Sequence, residues 1–186
     1  YRAALIHRAF RDVQVELPEA KMAAAFEKKL ELLTQAQDAY NEAIRVKHVF
    51  WVAASGYQLG TLFEEFYDEL MHAPVPDWLD EDQKRTYYEE LKAQLRPVVN
   101  KAIWVFEKNL ESARRIGYEN PFVEQTREAL ARLQSVLLDS DSNLGSPHPR
   151  LAERIFAEGG APEGEEGDSP MGPLDRKLHL PTMTSI

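Results

Sequence analysis

Apolar residues recur every three or four positions along most of this chain, which is the period of an α-helix. From about Glu19 to Val46, Met22, Phe26, Leu30, Leu33, Ala36, Tyr40 and Ile44 draw one stripe, with Lys and Glu on much of the opposite face. From about His48 to His72 two apolar faces alternate. One holds Val49, Val52, Gly56, Leu59, Phe63, Phe66 and Leu70, and the other Trp51, Ala54, Tyr57 and Leu62. A helix apolar on two sides packs between two neighbours. Gly56 and Gly60 each cost up to about 1 kcal/mol relative to alanine inside such a helix, so a close approach by another helix is expected there.

A third long stripe runs from about Glu81 to Ile116, through Tyr88, Leu91, Leu95, Val98, Ala102, Val105, Phe106, Leu110 and Ala113. Pro97 lies in its middle and predicts a kink, or a split near Arg96. The connector before it, from Ala73 through Pro74 and Pro76 to Trp78, reads as stiff and extended. Asp80 reads as an N-cap followed by Glu81 and Asp82. Gly117 is a C-terminal stop. Asn120-Pro121 opens a last helix carrying Phe122, Thr126, Ala129, Leu130, Leu133 and Leu137. Ahead of all these, Leu5, Ile6, Phe10 and Val13 lie at mixed spacing in a segment from Tyr1 to about Val15, read as the end of a helix arriving from further upstream and broken by Pro18.

After Leu138 the periodicity stops. Turn formers follow to Pro149, and an acidic Gly/Pro stretch runs from Gly159 to Pro173. From Asp139 onward there are nine acids against four bases, a net of -5 within a whole-chain charge of -9. Leu174, Leu178, Leu180, Met183 and Ile186 then return apolar character at the end, as in a tethered docking peptide. The organisation predicted is a helical-repeat domain over 1-138 and an acidic tail with an apolar docking end over 139-186.

Charge and composition narrow the chemistry. The acidic balance disfavours nucleic acid and anionic membranes as partners, because phosphate affinity rests on clustered Lys and Arg. With no cysteine, disulfides, Cys-ligated metals and thiol nucleophiles are excluded. No apolar run approaches the roughly 20 residues that span a bilayer. No HExxH, GxSxG, P-loop or GxGxxG occurs. One metal candidate arises: Glu64, Glu65, Asp68 and Glu69 form an acid cluster, and Glu69 with His72 makes a Glu-x-x-His. A di-metal carboxylate site needs a second such pair on a facing helix, and none exists. The expected alternative is a solvated acidic face with a local Asp68–His72 pair; Asp175–His179 repeats that spacing in the tail.

Leu59-Gly60-x-x-Phe63 has the Leu-Gly-x-x-aromatic spacing of the first helix of a tetratricopeptide (TPR) unit, and Ala102-x-x-x-Phe106 the Ala-x-x-x-aromatic spacing of the second. In that arrangement a small residue on one helix receives an aromatic from the next. Three runs extend the likeness: Tyr88 to Ile103 with Pro97, Lys101 and Ala102; Asn109 to Gly117; and Asn120 to Glu124. Together with Ala54–Phe66 and the Ala73–Pro76 connector, they resemble the C-terminal module of large TPR proteins of delta-proteobacteria, similar to those of adventurous gliding motility and related envelope machines. The resemblance covers about residues 1 to 138.

It implies an all-α, TPR-like solenoid of antiparallel helix pairs, acting as a non-catalytic protein–protein scaffold in a periplasmic or outer-membrane-associated assembly, without cofactor or small-molecule substrate. A helical accessory domain of a larger enzyme or transport machine is the alternative function, and the cytoplasm the alternative compartment.

Candidate partner-binding residues fall in three groups. Trp104 lies off its helix's stripe and is expected to be exposed, as interface anchors are. Lys101, Lys108, Arg114, Arg115 and Arg127 form a possible basic patch for a carboxylate-bearing peptide, against a reading as solvated charges paired with nearby Glu; the acidic stretch at Glu163–Asp168 is one occupant for it. The tail residues Leu174, Leu178, Leu180, Met183 and Ile186 form the third group.

Overall fold

The computed structural model describes residues 1–143 and Leu178. Its described part is all α-helical: α1 Arg2–Asp12, α2 Glu19–Arg45, α3 Val49–Met71, α4 Glu81–Ile116 and α5 Pro121–Asn143. The segments read from the sequence thus locate every helix of the described residues, with most boundaries moved by one to three residues where stripes meet connectors. α5 differs most, running on past Leu138 to Asn143.

The helix ends form where their side chains satisfy free backbone groups. Asp80 accepts from the Gln83 amide while the Gln83 side chain accepts from Asp80 N–H, closing a capping box at the start of α4. Gly117 ends that helix in the left-handed conformation at φ 62°, which glycine adopts without a Cβ clash. Asn120 Oδ1 accepts from Val123 N–H to open α5.

Pro97 does not split α4, which is one continuous helix from Glu81 to Ile116. Pro97 and Ala93 both lie on the exposed side. The carbonyl that loses its helical donor therefore belongs to a residue on the solvent side, where water is at hand.

Each helix packs on its neighbour in the chain, and α3 also packs on α5. α3 is consequently the helix around which the others gather, as its two apolar faces require. Leu59, Leu62, Phe63, Phe66 and Leu70 are all buried at its centre, against Phe26 and Leu33 of α2 and Leu95, Val98 and Phe106 of α4. Gly60 receives the Phe106 ring, and Gly56 receives the Asn109 side chain. Both glycines mark the close approach that their spacing predicts. The pair α2–α3 occupies residues 19–71 and the pair α4–α5 residues 81–143, each longer than the roughly 34 residues of a TPR unit.

α1 buries Ala3, His7 and Phe10, one face at i, i+4 and i+7, while Leu5 is half exposed. A histidine takes the place in the core that the apolar pattern gives to Leu5.

Candidate functional site

The acidic face of α3 is not simply solvated. Its carboxylates reach three different helices. Glu65 accepts from His7 Nε2 at 2.9 Å and from both Arg11 Nε at 2.8 Å and its terminal nitrogen at 2.6 Å, tying α3 to α1. Glu69 pairs with Lys29 of α2. Glu64 accepts from Arg132 of α5 at 3.2 Å. His72 turns to the backbone carbonyl of Asp68 at 2.7 Å. A local Asp68–His72 association is therefore present, but it runs through the backbone rather than the carboxylate.

The electrostatics follow from this arrangement. Burial would raise the Glu65 carboxyl, but hydrogen bonds and charge from His7 and Arg11 outweigh it and hold the group at about 2. Burial pushes Glu64 and Asp68 upward despite Arg132 and His72. An ionised carboxylate only accepts, so His7 Nε2 carries the proton facing Glu65, while His7 Nδ1 meets Tyr40 Oη at 2.9 Å. Lys29 is wholly buried; its ammonium donates to the Phe10 carbonyl at 2.8 Å and lies 4.1 Å from the Phe10 ring centre. Among the described residues no group of three or more His, Asp or Glu is placed to hold a metal ion.

The expected basic patch does not assemble as one surface. Lys101 is buried, its ammonium 5.4 Å from the Phe63 ring centre. Lys108 pairs with Glu111 at 2.7 Å, and Arg127 with both Glu119 and Glu124. Arg114 and Arg115 are exposed in the last turn of α4. Local pairing therefore claims two of the five and the core a third. Trp104 is half-buried against the main core rather than exposed. It lines a small groove of about 140 Å³ with Ile44, Val52 and Lys108. Leu178 is half-buried against the main core; Leu174, Leu180, Met183 and Ile186, with Glu163–Asp168, lie outside the described residues.

Two surfaces stand out instead. The larger is a groove of about 640 Å³ among α3, α4 and α5. Its walls are the aromatic and aliphatic groups of Tyr67, Tyr88, Val99, Val136 and Leu137. Arg85, Lys92 and Arg96 of α4 contribute the basic groups, with Arg85 also bonded to Asp82 of its own helix at 2.9 Å, and Glu89 is the one acid of the lining. These α4 positions step along the helix at intervals of three and four, a face flanking the buried stripe. That spacing is readable in the sequence, but its significance depends on α5 ending alongside it. The second surface is an aromatic end. The Phe50 ring lies 5.0 Å from Trp51 and 5.8 Å from Phe122, and Trp51 is 54% exposed. The contact between Phe50 and Phe122 shows that the first turns of α3 and α5 lie at the same end of the bundle. The exposed tryptophans are thus Trp51 and Trp78, not Trp104.

No family model, no curated protein and no solved structure matches the chain. The fold that its described residues define is a sequentially packed, all-α helical domain. No helix among them is long and apolar enough to cross a membrane.

Proposed function

We propose that this chain is a non-catalytic protein-interaction scaffold, and that the α3–α4–α5 groove is its docking surface. The observation that carries the reading is the pairing, in one open groove, of an apolar floor with three basic side chains. Such a surface suits a peptide whose apolar residues fill the floor and whose carboxylates meet the rim. A non-catalytic role is supported by where the ionisable groups at the α1–α2–α3 seams point. His7, Arg11, Glu65, Lys29 and Glu69 engage one another between helices, and none of them lines either groove.

The Gly60–Phe106 contact and the sequential packing are compatible with a TPR-like solenoid, with helices longer than that repeat's own. The resemblance of residues 54–66 and 88–124 to TPR proteins of bacterial envelope machines supplies the setting in this reading: a periplasmic or outer-membrane-associated assembly.

Photo-crosslinking in cells tests it. A crosslinkable residue replaces Glu89 in the groove or, as a control, Asp38 on the exposed side of α2. A discrete protein adduct is expected from position 89 alone, and it should disappear when Lys92→Glu is added. Equal adducts from both positions, or an adduct indifferent to Lys92→Glu, would overturn the reading.

A further inference from the structure

We infer that the end of the bundle where α2 turns into α3 is a contact for an anionic lipid surface, with Val46, Val49, Phe50 and Trp51 resting in the headgroup layer and the bases around them meeting lipid phosphates. The contact lies on a membrane and does not span one. It goes beyond the groove reading, since none of these residues lines the groove among α3, α4 and α5.

Three observations converge. The first is a run of exposure. All seven residues from Arg45 to Trp51, Arg-Val-Lys-His-Val-Phe-Trp, are exposed, with Val46 at 70%. Four of them are large and apolar, and none is acidic. Exposed apolar residues scattered singly are ordinary, whereas a contiguous patch marks an interaction site. Lys47 has φ 59°, a conformation that glycine adopts more easily. The turn therefore holds a charged side chain at the point where its backbone would favour none.

The second observation is what α4 and α5 bring beside this turn. Asn109 of α4 donates to the Ala53 carbonyl, and Ala53 packs with Ala113 and Val123. Arg114, Arg115 and Ile116 follow Ala113 directly, so the last turn of α4 ends beside the first turn of α3. All three are exposed. The Phe122 ring of α5, 5.8 Å from Phe50, extends the patch.

The third is local charge. Residues 45–51 and 112–118 hold four bases, Arg45, Lys47, Arg114 and Arg115, and no acid, within a chain of net charge -9. The acids flanking these turns have cations of their own: Glu42 pairs with Arg2, Glu111 with Lys108 and Glu119 with Arg127. Among the described residues no ion pair engages the four bases, although the charge of Arg115 also acts on Glu111. The acidic balance that argues against anionic membranes is thus carried elsewhere on the chain. Three of the four bases lie in the last turns of α2 and α4, where a cation suits the helix dipole. That accounts for their charge, but not for Lys47 or for the apolar side chains between them.

Aromatic rings beside Lys and Arg are the composition that settles at a lipid headgroup layer, the rings at its apolar boundary and the bases on its anionic groups. A stable protein partner would cover about 800 Å² on this chain. Residues 45–51 lie outside both grooves, so they project side chains rather than offer a cavity that receives them. A lipid layer needs no such cavity.

Co-sedimentation of the full chain with vesicles tests the inference. Binding is expected to vesicles of phosphatidylcholine with phosphatidylglycerol, little to phosphatidylcholine alone, and release as salt is raised. Lys47→Gln/Arg114→Gln should weaken binding at least about tenfold, and Val46→Ser/Trp51→Ser should weaken it by about tenfold or more. These positions are exposed, so far-UV helicity should stay unchanged. Brominated lipid should quench tryptophan emission in the parent chain and much less in Trp51→Ser, because Trp78, in the connector between α3 and α4, lies at the other end of α3. No sedimentation with either vesicle would overturn the inference. So would equal binding to both, or binding indifferent to either pair of substitutions. Self-association without lipid that Trp51→Ser abolishes would assign this end to a second copy of the chain instead. None of these results decides the crosslinking experiment, which reads the groove, so the two proposals fail separately.

Discussion

Gly60 of α3 sits against the ring of Phe106 of α4: a Cβ added at Gly60 would come within 2.5 Å of Phe106 Cδ1. That approach is too close for any carbon pair, and the ring is fully buried with no room to retreat. Gly60→Ala gains up to about 1 kcal/mol in helix propensity, but overpacking a tight core costs about 1–3 kcal/mol. A net loss of about 1–2 kcal/mol in chemical denaturation is expected, with part of it recovered by Phe106→Leu in the same chain. A stability gain from Gly60→Ala would show that α3 and α4 do not approach this closely. Gly56 is held by a different partner. Its missing Cβ leaves space for Asn109, which donates to the Ala53 carbonyl at 3.0 Å and to Thr126 Oγ1 at 3.1 Å.

Lys29 and Glu69 form a pair in which one member is wholly buried and the other about one-third exposed. Removing only the ammonium leaves the Glu69 carboxylate without its cation and the Phe10 carbonyl with the Val13 amide alone. Lys29→Met is expected to cost about 3–5 kcal/mol, whereas Lys29→Met with Glu69→Leu should recover most of that, because an apolar replacement of both partners is often near neutral. Urea denaturation of the two single variants and the double variant measures the coupling. Additive effects would mean that the two side chains do not interact.

Acid lability should trace to Glu65. Its carboxyl is near 2 in the fold and near 4.3 in an unfolded chain. The folded state therefore binds the proton less well, so the stability from this group is complete above about pH 5. It is lost as pH falls through 4 toward 2. The loss is on the order of 2 kcal/mol once partial exposure is allowed for. Glu64 and Asp68 are shifted upward by burial and act with the opposite sign, so the wild-type curve alone mixes the two effects. The difference between wild type and Glu65→Gln isolates the first: the gap should be widest above pH 5 and close toward pH 2. A gap independent of pH would remove Glu65 as the source.

Pro97 lies on the solvent side of an unbroken helix. Pro97→Ala restores one helical hydrogen bond and removes a ring that crowds the preceding turn, offset by greater freedom in the unfolded chain. A gain of about 1–3 kcal/mol and a raised Tm are expected. An unchanged or lowered Tm would mean that the shape Pro97 imposes is needed by the packing of α4.

The sequence by itself determined where the helices of residues 19–143 lie, the caps at Asp80, Gly117 and Asn120, and most of the buried stripes, while it left open whether Pro97 splits α4 and gave α1 a face that the structure turns toward His7. These depend on local physics: a 3.6-residue period, side chains that bond to nearby amides, and a glycine at positive φ. It also marked Gly56 and Gly60 as points of close approach, since glycine inside a long helix needs a compensating contact. Only the tertiary structure decided the fate of the charges. Lys29 reads as part of a polar face and is buried, because the carbonyl of Phe10 and the carboxylate of Glu69 arrive from two other helices. The acids of α3 read as one face and divide among α1, α2 and α5. Trp104 lies off its own stripe yet is half-buried, because it lines a groove with Ile44 of α2 and Val52 of α3. Lys101, Lys108 and Arg127 do not form one patch, because burial takes the first and neighbouring acids pair with the others. The Tyr67–Tyr88 groove exists only where the end of α5 meets the first half of α4. Long-range contact sets the dielectric and the partners of each charge, and no local pattern carries that information.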